Sequence, residues 1–211
     1  MKSDEIRCIA RHRNITDLYH FTPLANLKSV LIHGLLSRTT LDELGMPYTY
    51  TDNWRNDGKL NAVSLSVHDI NRSMFSQKVR SSSVRWAILE IDASLLWTHP
   101  CRFCWVNAAS AEIVNHSGYI GGPWAFKKMF EDRPLSATDK RSSRSFYDTP
   151  KNMPTMNDAE VQVCATIEPH LIRDVTVANE SSRSIALASM ETAGRNLPVV
   201  IFPDMIKQFR R

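Results

Sequence analysis

Apolar positions along this chain fall into short runs whose period changes from two to between three and four, with turn-forming residues between them. Residues 15–22 (Ile-Thr-Asp-Leu-Tyr-His-Phe-Thr) predict a strand, and residues 23–33 carry Leu24, Leu27, Val30 and Leu31 at helical spacing. Thr22 suits the N-cap of that helix, Pro23 its first position and Gly34 its stop. Residues 37–61 are polar and turn-rich, a surface excursion. Strands are predicted over 62–67 and 84–92 by alternation, and a short helical or irregular piece between them runs through Phe75. A helical turn at 94–97, an extended piece at 103–106 and an amphipathic helix at 123–130 follow. The long polar segment 133–158 exceeds the usual length of a loop inside one domain, which marks it as functional or disordered. It leads into a predicted strand over 159–167, with further strands at 175–178 and 199–202 and a helix at 184–193. Strands and helices do not alternate as βαβ units, so the expected class is α+β, in a single domain over residues 1–211.

Composition narrows this only a little. With 43% hydrophobic and 23% charged residues the chain is ordinarily globular. No apolar run approaches the roughly 20 residues that span a bilayer, and the first fourteen residues lack the apolar region of a secretory leader, so the expectation is a cytoplasmic protein with no membrane association. The net charge of +4 permits nucleic-acid binding without demanding it. Its distribution says more: residues 127–151 hold seven basic side chains against four acidic ones. Of four cysteines, Cys101 and Cys104 have the spacing of half a zinc site, but no second pair completes it, and the expectation is reduced thiols and no metal.

Neither a P-loop nor a G-x-G-x-x-G is present, and Gly121-Gly122 reads as a turn before the 123–130 helix. No metalloprotease, serine-hydrolase or cysteine-protease signature occurs. What remains is a set of polar residues at strand ends beside irregular segments: His20 closing the first strand, Glu160 opening the strand after the long basic loop, and Arg72, Lys78 and Arg80 between two strands. Taken singly, each reads as a structural or solvated residue.

Four segments nevertheless fall in a familiar order. Tyr19-His-Phe-Thr-Pro-Leu-Ala-Asn-Leu-Lys-Ser-Val-Leu-Ile-His-Gly-Leu-Leu36 comes first, and Leu65-Ser-Val-His-Asp-Ile-Asn-Arg-Ser-Met-Phe-Ser-Gln-Lys-Val-Arg80 second. Asn107-Ala-Ala-Ser110 and Pro154-Thr-Met-Asn-Asp-Ala-Glu-Val-Gln-Val163 follow. Together, over residues 15–167, they resemble the DarT family of DNA ADP-ribosyltransferase toxins, and the Asn107–Ser110 stretch is more like its guanine-modifying branch. Two positions depart from the family pattern: His68-Asp69 replaces a Phe-Pro-Asn-like stretch, and Ser76 stands where an aromatic is common.

The resemblance implies an ADP-ribosyltransferase-like split fold, two small β-sheets splayed about an NAD cleft with flanking helices. It implies a toxin that transfers ADP-ribose from NAD, its co-substrate, to a base of single-stranded DNA, guanine in the first place and thymine as the alternative. Glu160 is then the catalytic carboxylate, His20 and Arg80 act in catalysis and NAD binding, and Thr22 and Asn26 contact the nicotinamide side. The acceptor loop would supply Arg141, Arg144 and Lys151 to phosphates and Phe146 and Tyr147 to unpaired bases. The implied partners are single-stranded DNA and a macrodomain-containing antitoxin. Two other readings stay open on the residues alone: a non-enzymatic single-strand-binding module, and an interaction protein built on a CxxC zinc site.

Overall fold

The computed structural model describes residues 1–50, 57–133 and 144–207. Helix α1 (Lys2–His12) opens the chain, with Asp4 and Glu5 in its first turn and Arg11 and His12 in its last, the charge order that complements a helix dipole. Its buried pair, Ile6 and Ala10, is spaced one turn apart and faces the core. Strand β1 (Asp17–Pro23) follows, then a single 3₁₀ turn (Leu24–Asn26) and α2 (Leu27–His33). The expected helix start at Pro23 is therefore corrected to Leu27. Pro23 and Thr22 are drawn into β1 by pairing with Trp86 and Ala87, so Thr22 caps no helix. Gly34 does end α2, at a φ of 87°.

Next come α3 (Arg38–Glu43), β2 (Val63–Val67), α4 (Arg72–Ser81), β3 (Trp86–Asp92), α5 (Leu95–Thr98) and β4 (Cys101–Cys104). The second half holds α6 (Ala111–Val114), α7 (Pro123–Lys128), β5 (Glu160–Val163), β6 (Ile172–Val177), α8 (Glu180–Thr192), β7 (Val199–Ile201) and α9 (Asp204–Lys207). The strands lie in the order β4-β5-β2-β1-β3-β6-β7, antiparallel throughout except for β6 with β7. Mixed α+β is thus the class. Among the described residues the seven strands follow one order rather than forming two separate sheets.

The way it runs explains the split. β1 and β3 pair over seven residues, whereas β1 and β2 meet only at Leu18↔Val67 and Tyr19↔Ser66. Beyond Tyr19 the ladder stops and the two halves part. Leu18, Leu89, Ile91, Val175 and Val177 are buried with Leu27 and Leu31 of α2 and Ala186 of α8, in a core that continues into the other half. In the other half, Phe103 of β4 packs on Phe126 of α7 with ring centroids 4.7 Å apart. The expected strand over 159–167 ends at Val163, because the Cys164 N–H donates to Pro100 O and Ile167 instead bridges to Leu35. Cys101 and Cys104, three apart on a strand, face opposite sides of it and share no metal position. Among the described residues no group of three or more His, Cys, Asp or Glu is placed to hold a metal ion, and no helix is long and apolar enough to cross a membrane.

One face of the larger half carries carboxylates side by side: Glu90 pairs in register with Asp174, and Asp17 lies one strand over. Burial, then the charges of Asp174 and Asp17, push the Glu90 carboxyl up to about 7. In the unfolded chain it titrates near 4.5, so the folded state holds the extra proton between those values and loses stability as pH rises from 4.5 through 7. Discounted for solvent screening, the penalty above pH 7 is about 1 kcal/mol. Glu90→Gln is expected to raise the thermal midpoint by about 2–4 °C at pH 8 and to change it little at pH 4. Equal shifts at both pH values would refute this origin.

Candidate active site

A cavity of about 460 Å³ opens where β1 and β2 part. It is lined by Tyr19 to Pro23 of β1, Val63 to Ser66 of β2, Glu160 at the start of β5, residues 47–50, Asn107 and Ala109. Five residues singled out in the sequence meet here: His20, Thr22, Asn26, Lys78 and Glu160. They come from positions up to 140 apart, brought together by the β1–β2–β5 order.

His20 sits where the ladder fails. Its Nδ1 lies 3.0 Å from Ser64 O, an acceptor only, so Nδ1–H donates. The imidazole thus bridges the split that the backbone no longer bridges.

Glu160 is half-buried, and its Oε1 accepts the Ala108 N–H at 2.9 Å. That amide is aimed by a local turn: Asn107 Oδ1 accepts the Ala109 N–H at 2.9 Å, and Ser110 Oγ caps α6 at Ile113 N–H. Across the ladder from Glu160 is Cys104, whose thiol is pushed up to about 12, by burial first and then by the Glu160 charge. It stays a neutral neighbour.

Thr22 is 5% exposed, and its hydroxyl accepts from Asn26 Nδ2 at 3.1 Å. The same amide group of Asn26 donates to Thr49 O at 2.7 Å, while its Oδ1 accepts the Thr49 N–H at 2.8 Å. Asn26 therefore clamps the middle of the 37–61 excursion, at Thr49, to the cleft wall. That brings Tyr48 and Tyr50 over the opening, their rings 5.5 Å apart, with the Arg38 guanidinium 4.9 Å from the Tyr50 ring.

Arg80 does not join this group. Met74, Gln77 and Lys78 line the cleft at helical spacing, and Arg80, about 200° further round α4 than Lys78, is exposed outside the lining. Arg144, Phe146, Tyr147 and Lys151 also lie outside the lining, and Arg141 falls outside the described residues. The Arg144 guanidinium is spent within its own loop, donating to Met153 O, Thr155 Oγ1 and Pro150 O at 2.7–3.1 Å. Phe146 and Tyr147 are exposed, their rings edge-to-face at 5.0 Å. Lys151 is exposed too, and its carbonyl accepts from Arg13.

Sequence reasoning missed Gln162. Two residues along β5 from Glu160 and on the same face, it is fully buried, accepts from Arg102 and donates to Asp57 Oδ2, holding that carboxylate in the cleft lining. An amide at i+2 of a suspected catalytic strand was the available signal.

A family model described as "ssDNA thymidine ADP-ribosyltransferase, DarT" matches residues 19–207. Among solved structures, the chain is similar to Thermus sp. 2.9 DarT in complex with ADP-ribosylated ssDNA at 15% identity and a TM-score of 0.63, over 91% of this chain and 96% of that one. The same protein in complex with carba-NAD+ matches at 16% identity and a TM-score of 0.59, over 90% and 97%. Thermosipho africanus DarTG in complex with ADP-ribose matches at 17% identity and a TM-score of 0.57, over 90% of this chain but 51% of that one, so the chain spans about half of that relative. No curated protein matches in sequence. At these identities the structures establish a shared fold.

Proposed function

The chain belongs to the DarT family and is an ADP-ribosyltransferase that uses NAD; from that premise we propose that its acceptor is a guanine base in single-stranded DNA and that Glu160 is its catalytic carboxylate. The observation that carries the reading is the convergence of Glu160 and His20 on one cleft at the sheet's split, with the Glu160 carboxylate held by a backbone amide of the Asn107–Ser110 turn.

The cleft suits a nucleotide rich in hydroxyl and amide groups. Trp86 Nε1 and Asp158 Oδ1 are buried and, among the described residues, have no hydrogen-bond partner, and both residues line the cleft. One is a donor and the other an acceptor, as the ribose hydroxyls and carboxamide of NAD require. NAD supplies the electrophilic ribose carbon. As its bond to nicotinamide breaks, nicotinamide leaves with the electron pair and positive charge gathers at that carbon. The Glu160 carboxylate stabilises the charge, the ring nitrogen of the base forms the new bond, and its proton passes to Glu160. His20, oriented by Ser64 O, meets the nicotinamide-side ribose. Asn26 and Thr22 keep that wall in shape through Thr49.

Asn107 and Ala109 line the cleft beside Glu160, and the likeness of this turn to the guanine-modifying branch favours guanine. The family description, which names thymidine, favours thymine as the second reading. A base inside a duplex hides its ring nitrogens, so an unpaired strand is the substrate expected. An enzyme that modifies DNA endangers its own host, which calls for a partner that removes the modification; a macrodomain-containing antitoxin fits that need. Incubation with NAD and four unpaired oligonucleotides, each rich in one base, should add one ADP-ribose to the guanine-rich strand by mass. Modification of the thymine-rich strand alone would establish the second reading, and modification of none would overturn both.

A further inference from the structure

The turn that holds Glu160 leads into a surface of exposed aromatic rings. Trp105, buried one residue past the Cys104↔Glu160 pair, meets the Trp124 ring edge-on at 5.5 Å and the His116 ring at 5.2 Å. His116 and Trp124 stand nearly parallel, 14° apart, with centroids at 5.8 Å. Trp124 is 52% exposed and Tyr119 71%. Tyr119 lies across the glycine pair: a Cβ on Gly121 would fall 2.6 Å from its hydroxyl oxygen, so that pair is a seat for the ring as well as a turn.

Cations sit on these rings. Lys128 Nζ is 4.3 Å from the Trp105 centroid and 4.9 Å from that of Trp124, and Lys2 Nζ is 4.8 Å from that of Tyr119. The nearby carboxylate, Glu112, is taken up by the Arg133 guanidinium at 3.2 and 2.6 Å and by Trp105 Nε1–H. Exposed aromatic planes, ammonium groups and a neutralised acid make a surface that favours a polyanion with flat, stackable groups.

We propose that Trp124, His116 and Tyr119, with Lys128 and Lys2, bind the stretch of single-stranded DNA that flanks the acceptor base. Continuity argues for this occupant: Ala109 lines the cleft, Ser110 caps α6, and the patch begins at His116 after it. Counting about 3.8 Å per residue and about 5 Å between paired strands places the patch roughly 15–20 Å from Glu160, within reach of one strand that also occupies the cleft. Bases stack on the rings while phosphates meet the lysines, a mode tolerant of sequence. The proposal rests on the DNA-modifying reading above.

The test compares wild type, Trp124→Ala and Trp124→Phe on oligonucleotides of about 4 and about 16 nucleotides that carry the same acceptor base, a length range that separates the cleft from a flanking site. With the long strand, Trp124→Ala should raise the KM for DNA about tenfold, the scale of one lost base–aromatic stack, and leave kcat and the KM for NAD unchanged. The short strand should show no difference, and Trp124→Phe should recover most of the loss. An unchanged KM on the long strand, as a protein-docking face would give, overturns the proposal. Equal losses on both lengths, or a raised KM for NAD, overturn it too by showing a purely structural role. If wild type modifies neither strand, the acceptor reading fails by itself. Direct binding of the long strand, compared between wild type and Trp124→Ala, then decides the patch separately.

Discussion

Glu160→Gln is expected to lower transfer to the oligonucleotide by at least ~100-fold while leaving the thermal midpoint within a degree or so of wild type. The substitution is conservative in shape: the amide oxygen of glutamine can accept the Ala108 N–H as Oε1 does at 2.9 Å, so the 107–110 turn keeps its anchor. What disappears is the negative charge, and with it both the stabilisation of the ribose cation and the proton acceptor. A group that only binds ground-state NAD would raise KM; a group that acts on the developing charge lowers kcat. Single-turnover transfer at saturating NAD isolates that difference. Near-normal turnover by a folded Glu160→Gln protein would remove Glu160 from the chemistry. A loss confined to KM would make it a binding residue only.

The place of Glu160 at a strand end is legible in the chain, its proposed catalytic role only through the family resemblance, and which of Lys78 and Arg80 faces the cleft is a matter of phase. β5 begins immediately after a long polar segment, and its first residue is fixed at the strand end by alternation of Val161 and Val163, both buried. His20, expected to close the first strand, instead lies midway along β1, while the role of Gly34 as a stop needs only the local pattern. Helix α4 is different. Its apolar content is sparse, with Phe75 as its single buried residue, so the sequence suggested only a short piece ending near that residue. Without a register, nothing distinguishes Lys78, which lines the cleft, from Arg80, which lies on the far side. Helix α1 is legible in principle, through Ile6 and Ala10 one turn apart and the charges at its ends. The clamp made by Asn26 and the whole role of Gln162 were hidden for another reason. Each acts through a long-range partner, Thr49 and Asp57, and the pairing exists only once β1, β2 and β5 are assembled. The single strand order was hidden too, since it hangs on two register pairs between β1 and β2.

Gly34→Ala is expected to cost about 3 kcal/mol of stability, although the glycine lies in no strand and carries no side chain to lose. Two effects combine. At φ 87° and ψ −179° it occupies a region essentially restricted to glycine, which costs an L-residue about 1–3 kcal/mol. A Cβ there would also lie 2.3 Å from Ile167 O, a backbone atom that cannot rotate away. Relief requires the chain at Leu35 to part from Ile167, which breaks the Leu35 N–H to Ile167 O bond at 2.9 Å and the return bond at 3.1 Å, worth roughly 1 kcal/mol each. For a chain of this size the thermal midpoint should fall by about 6–12 °C. Gly194 supplies the control: it has a φ of 62° but nothing within 4 Å of its added Cβ, so Gly194→Ala should lose only about 1 kcal/mol. Equal losses at the two sites would mean that the backbone angle alone matters and that the contact with Ile167 does not. The difference has a functional edge, because Gly34, Leu35, Leu36 and Ser37 line the cleft. In the fraction of Gly34→Ala protein that folds, the displaced wall should raise the KM for NAD, whereas Gly194→Ala, at the end of α8 and outside the lining, should leave it unchanged.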